Sequence, residues 1–190
     1  MAKNYTATAK TLHWISAVLV LYQLASGVWM TRAIQDTYLR TIAWRTYQNH
    51  KSVGLTILML TLFRLYWRLT HKPPEHKNTL KAWERVAATS VHRTMYALLI
   101  TSPLLGWLMV STSPIQMPTI IYGHIKWPHI PYLPAVYKHT LYMASLTAHK
   151  YAGILLIVLV TVHISAALKH HFYDKNTILS RMLPTTRRKR

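Results

Sequence analysis

The segment "TAHKYAGILLIVLVTVHISAALKHH", residues 147–171, has a wholly apolar interior and histidines toward both ends. Its apolar run, 149–168, has the length with which a helix crosses the hydrocarbon core of a bilayer, about 20 residues. Three similar runs occupy residues 11–30, 50–69 and 91–110. The predicted fold class is therefore all-α, an integral membrane four-helix bundle that forms one domain over residues 1–190.

The positive charge of the chain predicts its orientation. The formal net charge is +19, and most lysines and arginines lie at the N-terminus, in the second connection and at the C-terminus, including a basic tail at 184–190. This bias predicts that both termini are cytoplasmic. Membrane lipid is the expected partner of these charges, and nucleic acid is not, because the charges are divided among segments that end helices.

Two further features limit the architecture. The chain has no cysteine, which excludes disulfides, thiolate-bound clusters and covalently attached haem. Residues 71–78, HKPPEHKN, are expected to form a short cytoplasmic turn. The Pro-rich connection 111–140 is expected to pack over the outer mouth of the bundle.

Five of the twelve histidines lie in the predicted helices, where an unpaired polar side chain is costly. His13 and His163 are expected near the cytoplasmic side, and His50 and His149 at the outer starts of their helices. Fourteen residues of helix rise about 21 Å and return to nearly the same face, so His149 and His163 share one face. Two such pairs on the interior of a bundle fit two bis-histidine b-type haems.

The fifth histidine, His92, has cytoplasmic depth. It could replace His13 or His163 as a ligand, or lie beside a haem or in a quinone pocket. Arg64 has the depth of the cytoplasmic haem and could pair with a propionate, although a plain positive-inside role is the alternative.

Glycines recur at one depth of the four helices. They are expected where a macrocycle needs close backbone approach, with close helix packing as the alternative. These are Gly27, Gly54, Gly106 and Gly153.

His170 continues the face of His149 and His163 to the cytoplasmic membrane edge, and His171 follows it. A histidine there could hydrogen-bond a quinone carbonyl and relay a proton, since imidazole titrates near neutral pH. The alternative role is that of an interfacial anchor.

The four-helix plan, the pattern of His13, His50, His149 and His163, and the stretch "ALKHHFYDKNTILSRMLP" resemble the bacterial cytochrome b561 family over nearly the whole chain. The resemblance implies a dihaem cytochrome of the bacterial inner membrane, multi-pass, with His13 and His163 on the cytoplasmic haem and His50 and His149 on the outer haem. Similar bacterial members are superoxide oxidases that pass electrons to ubiquinone, and their quinone-side histidine matches His170.

The predicted function is therefore an oxidoreductase of the superoxide:ubiquinone type, with superoxide or another outer one-electron donor as partner. The long Pro-rich connection departs from the family pattern and leaves the donor open. Anion steering is expected from the basic residues of the outer side, which are Arg45, Lys51, Lys126, Lys138 and Lys150.

Two other functions fit the sequence. One is a cytochrome b subunit that carries electrons for a membrane dehydrogenase or hydrogenase, with a redox protein as its partner. The other is a transition-metal transporter whose histidines bind ions, which would lack the absorption of haem. The four acidic residues of the chain are too few for a proton pump that uses carboxylate relays.

Overall fold

Four long helices form the body of the protein in a computed structural model, which describes residues 5–71 and 80–183. They are α1 (Ala7–Ala33), α2 (Arg40–Thr70), α3 (Ala82–Thr112) and α4 (Ala135–Phe172), and a short helix α5 (Ile178–Met182) follows them. Helices α1 to α4 are each long and apolar enough to cross a membrane. The predicted all-α membrane bundle is confirmed. The basic tail 184–190 and residues 72–78 of the predicted turn lie outside the described residues.

Each long helix extends beyond its predicted apolar run at both ends. The predicted spans were limited to the hydrocarbon thickness, whereas polar and aromatic turns continue the backbone hydrogen bonding outside it. Two expectations are corrected. His50 and His149 lie well inside α2 and α4 instead of at their starts, and the connection between α3 and α4 covers 113–134 instead of 111–140.

The bundle core is small and apolar. Val20, Val53, Ile57 and Val160 are buried together, one or two from each of three helices. Helix α1 packs chiefly on α2, and α3 packs chiefly on α4. The outward faces of all four helices carry large exposed apolar side chains. In water such surfaces would aggregate, and in a bilayer they contact lipid tails.

A β-hairpin that the sequence did not predict covers the end of the bundle where α2 begins and α3 ends. Strand β1 (Thr119–Ile121) pairs antiparallel with β2 (Ile125–Trp127). Three residues turn the chain between them, and Tyr122 and Gly123 both have positive φ, 48° and 80°. We call this end of the bundle the hairpin end.

Hydrogen bonds from α2 and α3 fasten the hairpin segment. The Gln48 and Lys51 side chains both donate to the carbonyl of Pro118, at 2.9 and 3.0 Å. The buried Ser52 hydroxyl accepts from the backbone N–H of Tyr122 at 3.0 Å. On α3, Trp107 donates to the carbonyl of Pro128 at 2.9 Å. The connection therefore packs over the bundle mouth, in agreement with its apolar composition.

The opposite end of the bundle, which we call the terminal end, holds the first and the last described residues, Tyr5 and Leu183. The C-terminal segment with α5 contacts the start of α1. Lys10 Nζ donates to the carbonyl of Leu183, and Trp14 Nε1 donates to the carbonyl of Met182, both at 3.0 Å. Because the number of long helices is even, the start of α1 and the end of α4 lie at the same end of the bundle.

Candidate functional site

Three intramembrane histidines meet toward the terminal end. The ring centres of His13 on α1 and His163 on α4 lie 6.2 Å apart, with an interplanar angle of 71°. His92 on α3 lies closer to His163, at 5.2 Å between ring centres. We call His13 and His163 the terminal pair.

Two histidines face each other toward the hairpin end. The ring centres of His50 on α2 and His149 on α4 are 6.3 Å apart, and the rings are inclined by 77°. We call them the hairpin pair. Helix α4 thus contributes one ring to each pair.

The spacing within each pair tests whether a haem iron fits between the rings. Two imidazoles that bind one metal from opposite sides, each by a bond of about 2.0 Å, have ring centres roughly 6.3 Å apart. The terminal pair and the hairpin pair match this separation. His92 and His163 are about 1 Å too close for it.

Hydrogen bonds set the tautomer of the hairpin pair. His149 Nδ1 lies 2.9 Å from the carbonyl oxygen of Ser102, which only accepts, so Nδ1 is the donor. Ser26 Oγ donates to the carbonyl of Gln23 at 3.1 Å and lies 3.2 Å from His50 Nδ1, so it can accept the proton of that nitrogen. Both rings therefore keep Nε2 free for a metal, the arrangement that partners of metal-binding histidines produce.

The terminal pair is arranged differently. Arg64 Nη2 lies 2.9 Å from His13 Nδ1, and a guanidinium only donates. His13 Nδ1 is therefore the acceptor, and the proton of the neutral ring lies on Nε2. Arg64 also lies over the ring of Tyr96, 5.6 Å from its centre, and makes no ion pair with a carboxylate of the described residues.

Two of the four predicted glycines pack against the hairpin pair itself. A Cβ on Gly27 would lie 3.1 Å from His50 Cε1, and one on Gly106 would lie 3.3 Å from His149 Cε1. Gly54 makes room for the amide of Gln23, which donates to the carbonyl of His50 at 2.9 Å. A Cβ on Gly153 would meet no atom within 4 Å. Three glycines thus have a packing reason in the protein, and Gly153 borders open space.

The C-terminal end of α4 carries a cluster of polar groups. His170 Nδ1 lies 2.6 Å from Asp174 Oδ2, and Lys169 Nζ contacts the same oxygen at 2.8 Å. Lys169 Nζ also reaches Glu84 on α3 at 3.3 Å. His171 packs edge-on against Phe172, and its buried Nδ1 has no hydrogen-bond partner among residues 5–71 and 80–183. Sequence reasoning found the two histidines here and missed the role of Asp174.

The predicted steering residues do not all face water. Arg45, Lys126 and Lys150 are exposed, whereas Lys138 is half-buried. Lys51 is also half-buried and donates to the hairpin segment, so it is a structural residue of that contact.

The partners Ser26, Ser102 and Gln23 were not found from the sequence. Serine and glutamine are unusual polar residues in a membrane helix, and this polarity is the sequence feature that could have indicated them as partners of the histidines. Ser102 precedes Pro103, which lies inside α3, but its bond to His149 uses a backbone carbonyl that no side-chain pattern marks.

Comparisons with known proteins agree over almost the entire chain. The family model described as prokaryotic cytochrome b561 matches residues 4–185. The chain is 30% identical to cytochrome b561 homolog 2 of Escherichia coli over 182 residues. This alignment covers 95% of this chain and 92% of that protein. It is 29% identical to cytochrome b562 of Cereibacter sphaeroides, over 95% of each chain. A Yersinia pestis protein named a probable superoxide oxidase is 25% identical, over 98% of this chain and 99% of its own length.

Proposed function

The chain belongs to the prokaryotic cytochrome b561 family, and from that premise we propose that it transfers electrons from superoxide to ubiquinone through two haems. Members of this family are multi-pass inner-membrane cytochromes of electron transport that bind b-type haem.

The observation that carries the proposal is the spacing of the two histidine pairs. Each pair has the ring separation of a bis-histidine metal site, 6.2 and 6.3 Å. We assign His50 and His149 to one haem and His13 and His163 to the other. A bound b-type haem supplies one-electron redox chemistry at its iron.

The residues around the pairs hold the rings and exclude water. Ser26 and the Ser102 carbonyl fix the proton on Nδ1 of the hairpin pair, so these rings are ready to bind iron through Nε2. At the terminal pair, His13 must move its proton to Nδ1 before Nε2 can bind. Arg64 would then no longer find an acceptor at Nδ1, and we assign its guanidinium to a haem propionate, which it would hold by charge-assisted hydrogen bonds.

We place the hairpin end outside the membrane and the terminal end in the cytoplasm, following the distribution of lysine and arginine. Superoxide would then approach past the exposed cations Arg45, Lys126 and Lys150, which attract an anion. Quinone would bind near His170 and His171, which donate or relay protons from the cytoplasm.

Stopped-flow absorption tests the proposal directly. Superoxide mixed with the purified, haem-loaded chain is expected to reduce the haems, and added ubiquinone is expected to reoxidise them. The rate of haem reduction by superoxide should fall as ionic strength rises, because salt screens the attraction between superoxide and the outer cations. Superoxide dismutase, added as a control, should abolish the reduction.

Haems that stay oxidised with superoxide, but are reduced by a partner redox protein, would overturn the superoxide role. That result would instead support the second function considered above, an electron-carrying subunit of a membrane dehydrogenase or hydrogenase. A preparation with no Soret absorption after expression with haem would overturn the dihaem assignment altogether.

Ser26→Ala is expected to weaken the binding of the outer haem and to leave the binding of the inner haem unchanged. The variant removes the hydroxyl that lies 3.2 Å from His50 Nδ1, and loss of such a partner typically costs on the order of 10-fold in metal affinity. The measurement is the rate of haem loss to excess apomyoglobin. Ser16→Ala is the matched control, since Ser16 is a buried serine of the same helix whose hydroxyl has no partner in the described part of the chain. Equal loss rates for the outer haem in both variants would contradict the role of Ser26.

A further inference from the structure

Carboxylates are scarce in this chain, and their positions are therefore informative. The sequence has four acidic residues against 23 lysines and arginines. Two of the four, Glu84 and Asp174, come together at the end of α4 although 90 residues separate them in sequence. Both reach Lys169, and Asp174 also reaches His170.

The backbone after α4 folds Asp174 back onto the last turn of the helix. The N–H of Asp174 donates to the carbonyl of Lys169 at 3.2 Å, and the N–H of Asn176 donates to the carbonyl of His170 at 3.0 Å. Lys175 between them has φ of 51°, the left-handed conformation that reverses the chain. This turn is what places the Asp174 carboxylate beside His170 Nδ1.

The contact between His170 and Asp174 determines which nitrogen of the His170 ring can bind a ligand. The distance of 2.6 Å between His170 Nδ1 and Asp174 Oδ2 is that of a short, charge-assisted hydrogen bond. The hydrogen bond from Lys169, followed by that from His170, holds the pKa of Asp174 below its usual range. The carboxylate therefore stays ionised, accepts the Nδ1 proton and leaves Nε2 as the nitrogen available to a ligand.

A metal ion is a poor occupant of this cluster. Glu84, His170 and Asp174 could offer three ligand atoms within 4.8 Å of one another. The ammonium group of Lys169 already contacts both carboxylates, however, and a cation bound there would meet that positive charge.

We propose that Asp174 is a positioning residue for proton delivery to quinone, fixing His170 so that Nε2 faces the substrate. The inference rests on the proposed function. Ubiquinone takes up two electrons and two protons to become ubiquinol. In each protonation at this site the N–H bond at His170 Nε2 breaks, an O–H bond forms on a quinone oxygen, and His170 regains a proton from the cytoplasm. Glu84 helps through Lys169, which it holds beside Asp174.

Asp174 and Lys169 lie next to His170, and Glu84 approaches this cluster from α3. Loss of the Asp174 charge removes the anion that contacts His170 Nδ1 and leaves the Lys169 ammonium beside the ring, with Glu84 farther away on α3. A negative charge beside the proton donor favours the bound proton, so its loss should move the pH profile of haem reoxidation downward.

The test follows haem reoxidation. The haem-loaded chain, reduced chemically with one equivalent of dithionite, is mixed with a soluble ubiquinone, and reoxidation is followed between about pH 6 and pH 9. Asp174→Asn is expected to slow reoxidation by about tenfold at neutral pH, to shift the pH profile downward and to leave the haem content unchanged. Asp174→Glu, which restores a carboxylate, is expected to recover a large part of the rate. Asp36→Asn is the matched control, because the Asp36 carboxylate accepts hydrogen bonds from the N–H groups of Tyr38 and Leu39 in the turn before α2, far from His170 at the other end of the bundle.

The outcomes separate the two proposals. A wild-type chain whose haems quinone does not reoxidise would overturn the acceptor side of the proposed function and this inference with it. A wild-type chain that is reoxidised, with Asp174→Asn matching it in rate and pH profile, would overturn the positioning role alone. Equal slowing by Asp174→Asn and Asp174→Glu without any change in the pH profile would also overturn it, because it would identify a purely structural contact.

Discussion

His149→Ala is expected to remove one haem and leave the other in place. The variant deletes one ring of the hairpin pair, and the remaining His50 cannot hold an iron from both sides. The terminal pair shares no side chain with it, so the haem content should fall from two equivalents to one. The measurement is the pyridine haemochrome absorbance per chain, with a redox titration to identify the haem that stays.

His139→Ala is the matched control for this experiment. His139 is an exposed histidine on the same helix, and its ring belongs to neither pair. This variant should keep two haems. Two full equivalents in His149→Ala as well would contradict the assignment of the hairpin pair.

His13→Ala is expected to remove the inner haem, whereas His92→Ala is expected to retain both. The two substitutions decide between the candidate partners of His163. His13 has the ring separation that a shared iron requires, 6.2 Å, whereas His92 lies too close at 5.2 Å. His92 would then act beside the haem without binding it.

Haem content and optical spectra measure the loss of haem in these two variants. His163→Ala serves as the reference, because it removes a ligand whether the partner of His163 is His13 or His92. The assignment fails if His92→Ala loses a haem while His13→Ala keeps two. A loss in both variants would indicate that His92 is required to fold or orient the terminal pair, and the low-temperature absorption bands of the remaining haem would identify which haem is affected.

Hydrophobic run length and helical periodicity were enough to predict the bundle and the proximity of the rings. Four runs of bilayer length give four helices, and the interval from His149 to His163 returns the chain to nearly the same face of α4. These features depend on local sequence and on the thickness of the lipid bilayer. The role of the rings as haem ligands remains a proposal.

Other features depend on contacts between distant segments, which a single sequence does not reveal. The hairpin consists of two strands of three residues each, too short for an alternating pattern, and α2 side chains hold it in place. The partner of His149 is a backbone carbonyl, and the partner of His170 depends on a left-handed residue past the helix end. Periodicity carries no information about any of these.

Helix α4 carries one ring of each pair, so it fixes the distance between the two sites. Helices α1 and α2 each carry the ring of one pair only, His13 and His50, whereas the separation of His149 and His163 is set by unbroken helix. A single residue inserted between them would turn the second ring by about 100° and advance it by about 1.5 Å. The length of this interval should therefore tolerate no insertion or deletion, while the sequence within it is free to vary among apolar residues.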